Sequence, residues 1–231
     1  MSEPVSDSAT DFPIITLDGG AATGKSSTAR GVSQQLRFLH ADTGSHYRAL
    51  TFLLLRKGIS PEESDELTEA LEEMKLSAEV DGTLASLIAD GKKLSPEDLR
   101  SLEVNRNVSS FAALPPVRNR LLRYQRWHRE LALEKGFLGL VIEGRDIGSV
   151  VFPEAPFRFF LEADESTRIQ RRSEEGQEDS VAARDKADSG RKTAPLHCPE
   201  GAIRINTGNY TLEEVISQIC QKVQNDSDAL Q

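Results

Sequence analysis

The chain has 231 residues, 28% of them charged and 38% hydrophobic, the make-up of one soluble α/β domain with inserts and a substantial core. Its net charge of −9 argues against broad nucleic-acid binding, which needs a positive surface, so an anionic ligand has to be met by a local cluster of Arg and Lys. Cys198 and Cys220 are too few for a disulfide framework and point to a reducing compartment or to indifference to redox state.

Met1 to Asp11 is polar and acidic and lacks the basic and apolar regions of a signal peptide, which predicts a disordered tail on a cytoplasmic protein. The longest apolar stretch, around Phe137 to Ile142, is far too short to cross a bilayer, so no membrane partner is expected. Ile14 to Asp18 reads as a buried strand and Ser27 to Leu36 as a helix. Between them stands Gly19-Gly20-Ala21-Ala22-Thr23-Gly24-Lys25-Ser26, a G-x-x-x-x-G-K-S loop in the strand–loop–helix setting that a phosphate cradle requires. Gly19 and Gly24 permit backbone angles that a Cβ forbids, and the loop N–H groups, with the helix N-terminus, then face an anion. Residues Gly19 to Ser27 are thus expected to hold ATP, Lys25 reaching the β- and γ-phosphates and the Ser26 hydroxyl holding Mg²⁺.

Residues 38–41 predict a second strand ending at Asp42-Thr43-Gly44, followed by a helix from about Ser45 to Lys57. Ser60-Pro61-Glu62-Glu63 predicts a further helix start. Asp81-Gly82 and Asp90-Gly91 bracket an apolar stretch, giving a small antiparallel meander over 76–94, placed as an insert beside the core sheet. Pro115-Pro116 opens a long helix to about Glu134 with Val117, Leu121, Tyr124, His128 and Leu131 on one face. Its arginines, Arg118, Arg120, Arg123, Arg126 and Arg129, are mostly expected in solvent. Gly139 to Ile142 and Phe157 to Leu161 are strands, Ser166 to Arg172 a short helix, and Ser173 to Ser180 an acidic mobile stretch. Ala202 to Thr207 is a last strand, and Thr211 to Glu214 a capping box opening a helix to about Val223, with residues 224–231 frayed.

Strands alternating with helices behind such a loop predict a parallel sheet with helices on both faces and a ligand cleft at the carboxyl ends of the strands. Lys25, Asp42, Arg145 and Asp146 all fall just after strands and so share that cleft. Phosphoryl transfer to a second substrate needs cations beyond Lys25, some of them on a closing lid. Arg48, Arg145, and Arg184 and Arg191 in a lid-like loop are the candidates, their planar forks being suited to phosphate. Asp146 and Asp188 each lie near an Arg, as simple ion pairs or as acceptors for a base or sugar. The four histidines show no metal-ligand spacing with the cysteines, so no zinc site is expected.

These motifs together resemble the bacterial cytidylate kinases, the (d)CMP kinases among the small P-loop nucleoside monophosphate kinases. The resemblance runs from about Ile14 to Val223. It rests on the glycine loop, Asp42-Thr43-Gly44 with Tyr47-Arg48, Val108-Ser109 with Ala112-Ala113 and Val117-Arg118, Glu143-Gly144-Arg145-Asp146-Ile147-Gly148 with Val150 to Pro153, and Arg184-Asp185 with Ala194-Pro195-Leu196. It implies a P-loop NTPase fold with a small antiparallel substrate-binding insert and a lid: core 12–57, 101–165 and 199–223, CMP-binding insert 58–100, lid 166–198. It implies transfer of phosphate from ATP with Mg²⁺ to CMP or dCMP. Ser109, Arg118 and Asp146 would then meet the cytosine ring, with Thr43 near it, Arg48 and Arg145 the α-phosphate, and Asp188 the ribose. Arg184 and Arg191 would serve as lid arginines and share catalysis with Lys25 and Arg145. The chain departs from the family with Gly20 where Pro is usual, and with Ala187 and Ser189 where basic residues are common. A monomer is expected. Other readings left open are a small kinase for UMP, AMP or a non-nucleotide alcohol, and a non-catalytic nucleotide-binding module.

Overall fold

The structure, a computed structural model, describes residues 12–174, 181–191 and 193–228, with the backbone alone at 181–184 and 227–228. The expectations for 1–11, 175–180 and 229–231 lie outside the described residues. In chain order the elements are β1 (Ile14–Gly19), α1 (Lys25–Leu36), β2 (Leu39–Asp42), α2 (Thr43–Arg56), α3 (Asp65–Glu73), β3 (Leu76–Asp81), β4 (Leu84–Ala89), β5 (Lys92–Lys93), α4 (Pro96–Leu99) and α5 (Leu102–Phe111). They continue with α6 (Pro115–Glu134), β6 (Leu140–Gly144), a π-helical turn (Ile147–Val151), β7 (Phe157–Glu162), α7 (Glu165–Glu174), α8 (Val181–Ser189), β8 (Ile203–Asn206) and α9 (Leu212–Asp228).

One eight-stranded sheet runs in the order β3-β4-β2-β6-β1-β7-β8, with β5 beside β4. From β4 to β8 every pairing is parallel, and β1 and β6 are buried along their whole length, as central parallel strands are. Helices α1 and α9 cover one face, through Ala29, Val32, Val215, Ile219 and Val223 on Ile15, Leu17, Val141 and Phe159. Leu131 and Ala132 of α6 cover the other, on Leu39, Leu140 and Ile142. A third cluster joins α2, α3, α6 and the meander through Leu50, Leu54, Leu67, Leu87 and Leu121.

The meander does not stand beside the sheet. β4 runs parallel to β2 at His40↔Leu84 and Ala41↔Ala85, and the same strand takes β3 along its length and β5 at its far end, both antiparallel. Parallel pairing to β2 gives the β4 backbone partners that a detached hairpin would leave to water.

Three other expectations are corrected. The helix read from Ser60 begins at Asp65, where the Ser64 side chain accepts from the Leu67 N–H at 3.1 Å. No apolar residue between Pro61 and Leu67 holds an earlier turn to the core. The segment around Arg184, read as a loop, is helix α8. The last helix passes Val223 and reaches Asp228; its capping box is formed, Thr211 and Glu214 exchanging bonds of 3.3 and 2.8 Å.

Candidate active site

The glycine loop leaves the carboxyl end of β1 and feeds α1. An added Cβ on Gly19 (φ 151°) would lie 2.2 Å from the Leu161 carbonyl oxygen, and Gly24 has a φ of 86°, so both positions require glycine. Buried Lys25 donates to the Gly20 carbonyl at 2.6 Å, and the Thr23 hydroxyl donates to the same oxygen at 3.0 Å. Burial, and then the nearby positive charge of Arg145, bring Lys25 down to about 7. The loop is tied to α7, α8 and the turn after β8. Thr207 donates its hydroxyl to the Thr23 carbonyl at 3.0 Å and accepts from Arg171 of α7 at 2.9 Å. Asp185 of α8 accepts the Ala21 N–H at 2.9 Å and is paired with Arg168.

Just beyond the loop, the Ser26 hydroxyl donates to Glu143 at 2.9 Å, and the other oxygen of that carboxylate lies 3.0 Å from His40 Nε2. Asp42 is the register partner of Glu143 on the neighbouring strand. Burial and then the Glu143 charge push the Asp42 carboxyl up. Among the described residues no cluster of three or more His, Cys, Asp or Glu is arranged to hold a metal alone. The Ser26 hydroxyl on Glu143, with Asp42 beside that carboxylate, is nonetheless a hard-oxygen donor set suited to a Mg²⁺ that takes its remaining ligands from water and nucleotide phosphates. Two like charges pressed together are what a divalent cation relieves, so these residues fit the metal.

A cleft of roughly 690 Å³ runs from Ala21–Ser27 past Thr43 and Arg48 to Ser109, Arg145, Asp146, Asp188 and Arg191. Thr43 donates its hydroxyl to the Glu143 carbonyl at 2.7 Å. Arg48 is held by the Leu99 carbonyl at 2.9 Å and by Asn105 at 2.7 Å. Arg118 stands behind the wall, buried, donating to Asp146 and to the Ala112 carbonyl. Burial pushes the Asp146 carboxyl up against the pull of Arg118. Arg145 donates to Asp188 at 2.7 Å and to the Gly19 carbonyl at 3.0 Å, and Arg191 pairs with Asp188 from the other side. The structure thus brings together Thr43, Arg48, Ser109, Arg145, Asp146, Asp188 and Arg191 in one cleft, with Arg118 directly behind. Arg184 lies on α8, its side chain outside the described residues.

Of the other α6 arginines, half-buried Arg120 bonds the backbone carbonyls of Leu71 and Met74, and Arg126, exposed as expected, bonds those of Val151 and Val150. Sequence reasoning gave no role to Glu143, His40, Asp18 or Asp185. Asp18 is buried, accepts the N–H groups of Ile147 and Gly148 at 2.8 and 2.7 Å, and so anchors the turn that follows Arg145 and Asp146. Burial pushes it up to about 6, against those two N–H bonds. The signal for Glu143 was its place at the end of a buried strand, but only the strand order puts it beside Ser26 and Asp42.

The comparisons with known proteins agree with this geometry. The family model described as Cytidylate kinase matches residues 15–225. A cytidylate kinase of Limosilactobacillus reuteri (strain DSM 20016) is 35% identical over 228 residues, covering 94% of this chain and 97% of that protein. One from Caldanaerobacter subterraneus subsp. tengcongensis is 38% identical over 224 residues, covering 92% and 95%. One from Clostridium botulinum (strain Langeland) is 35% identical over 223 residues, covering 92% and 98%. A phosphate loop on the first of six parallel strands, an arginine-lined cleft beside it and a match along nearly the full length lead to one conclusion: the chain belongs to the cytidylate kinase family.

Proposed function

We propose that the protein transfers the γ-phosphate of ATP to CMP or dCMP, giving ADP and CDP or dCDP. An α-phosphate oxygen of the acceptor attacks the γ-phosphorus while the bond to the β–γ bridging oxygen breaks. The reaction needs alignment and charge neutralisation rather than a protein base. Lys25 neutralises the β- and γ-phosphates, and Arg48 and Arg145 take the acceptor α-phosphate. Arg191 and Arg184 approach from the lid, residues 166–198, and Asp188 accepts from the ribose. Ser109, Arg118 and Asp146 read the base, with Thr43 at its edge: the carboxylate accepts from the exocyclic amine that distinguishes cytosine from uracil, and the guanidinium donates to the ring's acceptor edge. Mg²⁺ held at Ser26 supplies charge neutralisation for the transferring phosphoryl.

The observation that carries this reading is the buried Arg118–Asp146 pair, whose carboxylate faces the same cleft as the phosphate loop. Residues 58–100 serve as the acceptor-binding insert, and the enzyme acts as a monomer in the cytoplasm. Among the described residues no helix is long and apolar enough to cross a membrane. The test is ADP formation from Mg-ATP with CMP, dCMP, UMP, AMP and no acceptor, each assayed separately. Turnover confined to CMP and dCMP is expected. Preference for UMP or AMP would discard the base-reading roles of Ser109, Arg118 and Asp146, and ATP binding without transfer to any acceptor would discard the kinase.

A further inference from the structure

His40 is a buried histidine on β2 that no step above uses. Its ring lies on the α1 side of the sheet, next along the strand from Asp42 on the same face. Nε2 sits 3.0 Å from one oxygen of Glu143, while the other oxygen accepts from Ser26 at 2.9 Å. An ionised carboxylate only accepts, so Nε2 carries the proton in this contact. Nδ1 has no hydrogen-bond partner among the described residues. The ring is therefore held by one directed bond, to Glu143.

Glu143 has a choice of direction. Its register partner is Asp42, and two buried carboxylates side by side repel. The donor on His40 holds one oxygen in place, and the second oxygen then takes the Ser26 proton. A serine hydroxyl whose proton is committed to a carboxylate keeps its lone pairs for a cation.

We propose that His40 is a positioning residue for the metal-bearing hydroxyl: by fixing Glu143 it orients Ser26 toward the divalent cation that accompanies the nucleotide. The inference rests on Ser26 as the metal-bearing residue of the proposed kinase. The role is that of an outer-shell partner, whose loss lowers metal affinity by about tenfold or more without altering the ligand atoms.

The test is the gain in affinity for N-methylanthraniloyl-ADP when Mg²⁺ replaces EDTA, read by fluorescence without turnover. In H40F, which fills the space without a donor, the gain is expected to fall about tenfold, with affinity in EDTA unchanged. H40Q, which restores an amide donor, regains most of the effect. H40L, which also lacks a donor, loses the gain as H40F does; this keeps the question answerable if H40F does not fold. A folded H40F or H40L with the full gain overturns the proposal. Equal losses in H40F and H40Q reduce His40 to packing and overturn it too. A wild-type protein that binds no tighter with Mg²⁺ overturns both the proposal and the metal role of Ser26. Failure of the kinase reading itself shows separately, as absent ADP formation with CMP.

Discussion

The two ends of the cleft are built on opposite plans. The phosphate-loop end is one unbroken run, Gly19 to Ser27, and its cation, Lys25, rests on a neutral backbone carbonyl. The wall opposite is gathered from α2, α5, α6, the end of β6 and α8, and three of its arginines rest on carboxylates, Arg118 on Asp146 and Arg145 and Arg191 on Asp188, while Arg48 rests on the Leu99 carbonyl and Asn105. A cation on a carbonyl waits for its anion, and its protonation follows the ligand. A cation locked to a carboxylate has a fixed charge and a fixed direction, which serves recognition of shape and hydrogen-bond pattern.

Breaking the wall has the largest expected effect. Arg118→Ala leaves Asp146 buried without its partner and is expected to cost about 3–5 kcal/mol of stability, measured by denaturant unfolding, together with CMP affinity. Unfolding within about 1 kcal/mol of wild type would show that the wall does not depend on the pair.

At the loop end, Lys25→Met is expected to keep the fold and the calorimetric affinity for CMP while turnover falls about 100- to 1,000-fold. Because folding brings Lys25 to about 7, nucleotide phosphates should return its proton. ATP binding at pH 8 is then accompanied by proton uptake, seen as a binding enthalpy that changes with the ionisation enthalpy of the buffer and that vanishes in Lys25→Met. Buffer-independent enthalpies in the wild type would place the two ends on the same footing.

Asp18 connects the two ends, sitting on β1 before the loop and holding the turn after Asp146. Its folded value of about 6 lies above the ordinary 3.8, so between those limits the folded state keeps a proton that the unfolded chain has released. Stability therefore falls as pH rises through this window, by about 3 kcal/mol in all from this group. Asp18→Asn should flatten that slope in unfolding curves taken from pH 4 to 7; an unchanged slope would assign it to other carboxylates. The smallest effect is a control outside both ends: Ser64→Ala removes the cap of α3 and is expected to cost about 1 kcal/mol with kinetics unaltered.

What was legible in the sequence follows the same division. The loop and its flanking strand and helix were readable because every residue needed lies in one run. The wall was legible only through family-like motifs, since no periodicity shows that Asp146, at a strand end, meets Arg118 on a helix. Glu143 stayed without a role because its partners Ser26, His40 and Asp42 lie on other elements. Capping signals were ambiguous for a local reason. Ser60-Pro61-Glu62-Glu63 and Ser95-Pro96-Glu97-Asp98 read almost alike, yet only the second starts a helix. There Asp98 and Ser95 close a full capping box and Leu99 follows at once to pack on the core. After Glu63 the next apolar residue is Leu67, and the chain waits for Ser64 to begin its turn.

The seat of the meander has a consequence for how this fold can vary. Among the described residues its parallel attachment to the sheet is His40↔Leu84 and Ala41↔Ala85, on the strand that delivers Asp42. With so short a seat at the margin, the turns at Gly82 and Gly91 can change in length without disturbing the pairing of the strands under the glycine loop.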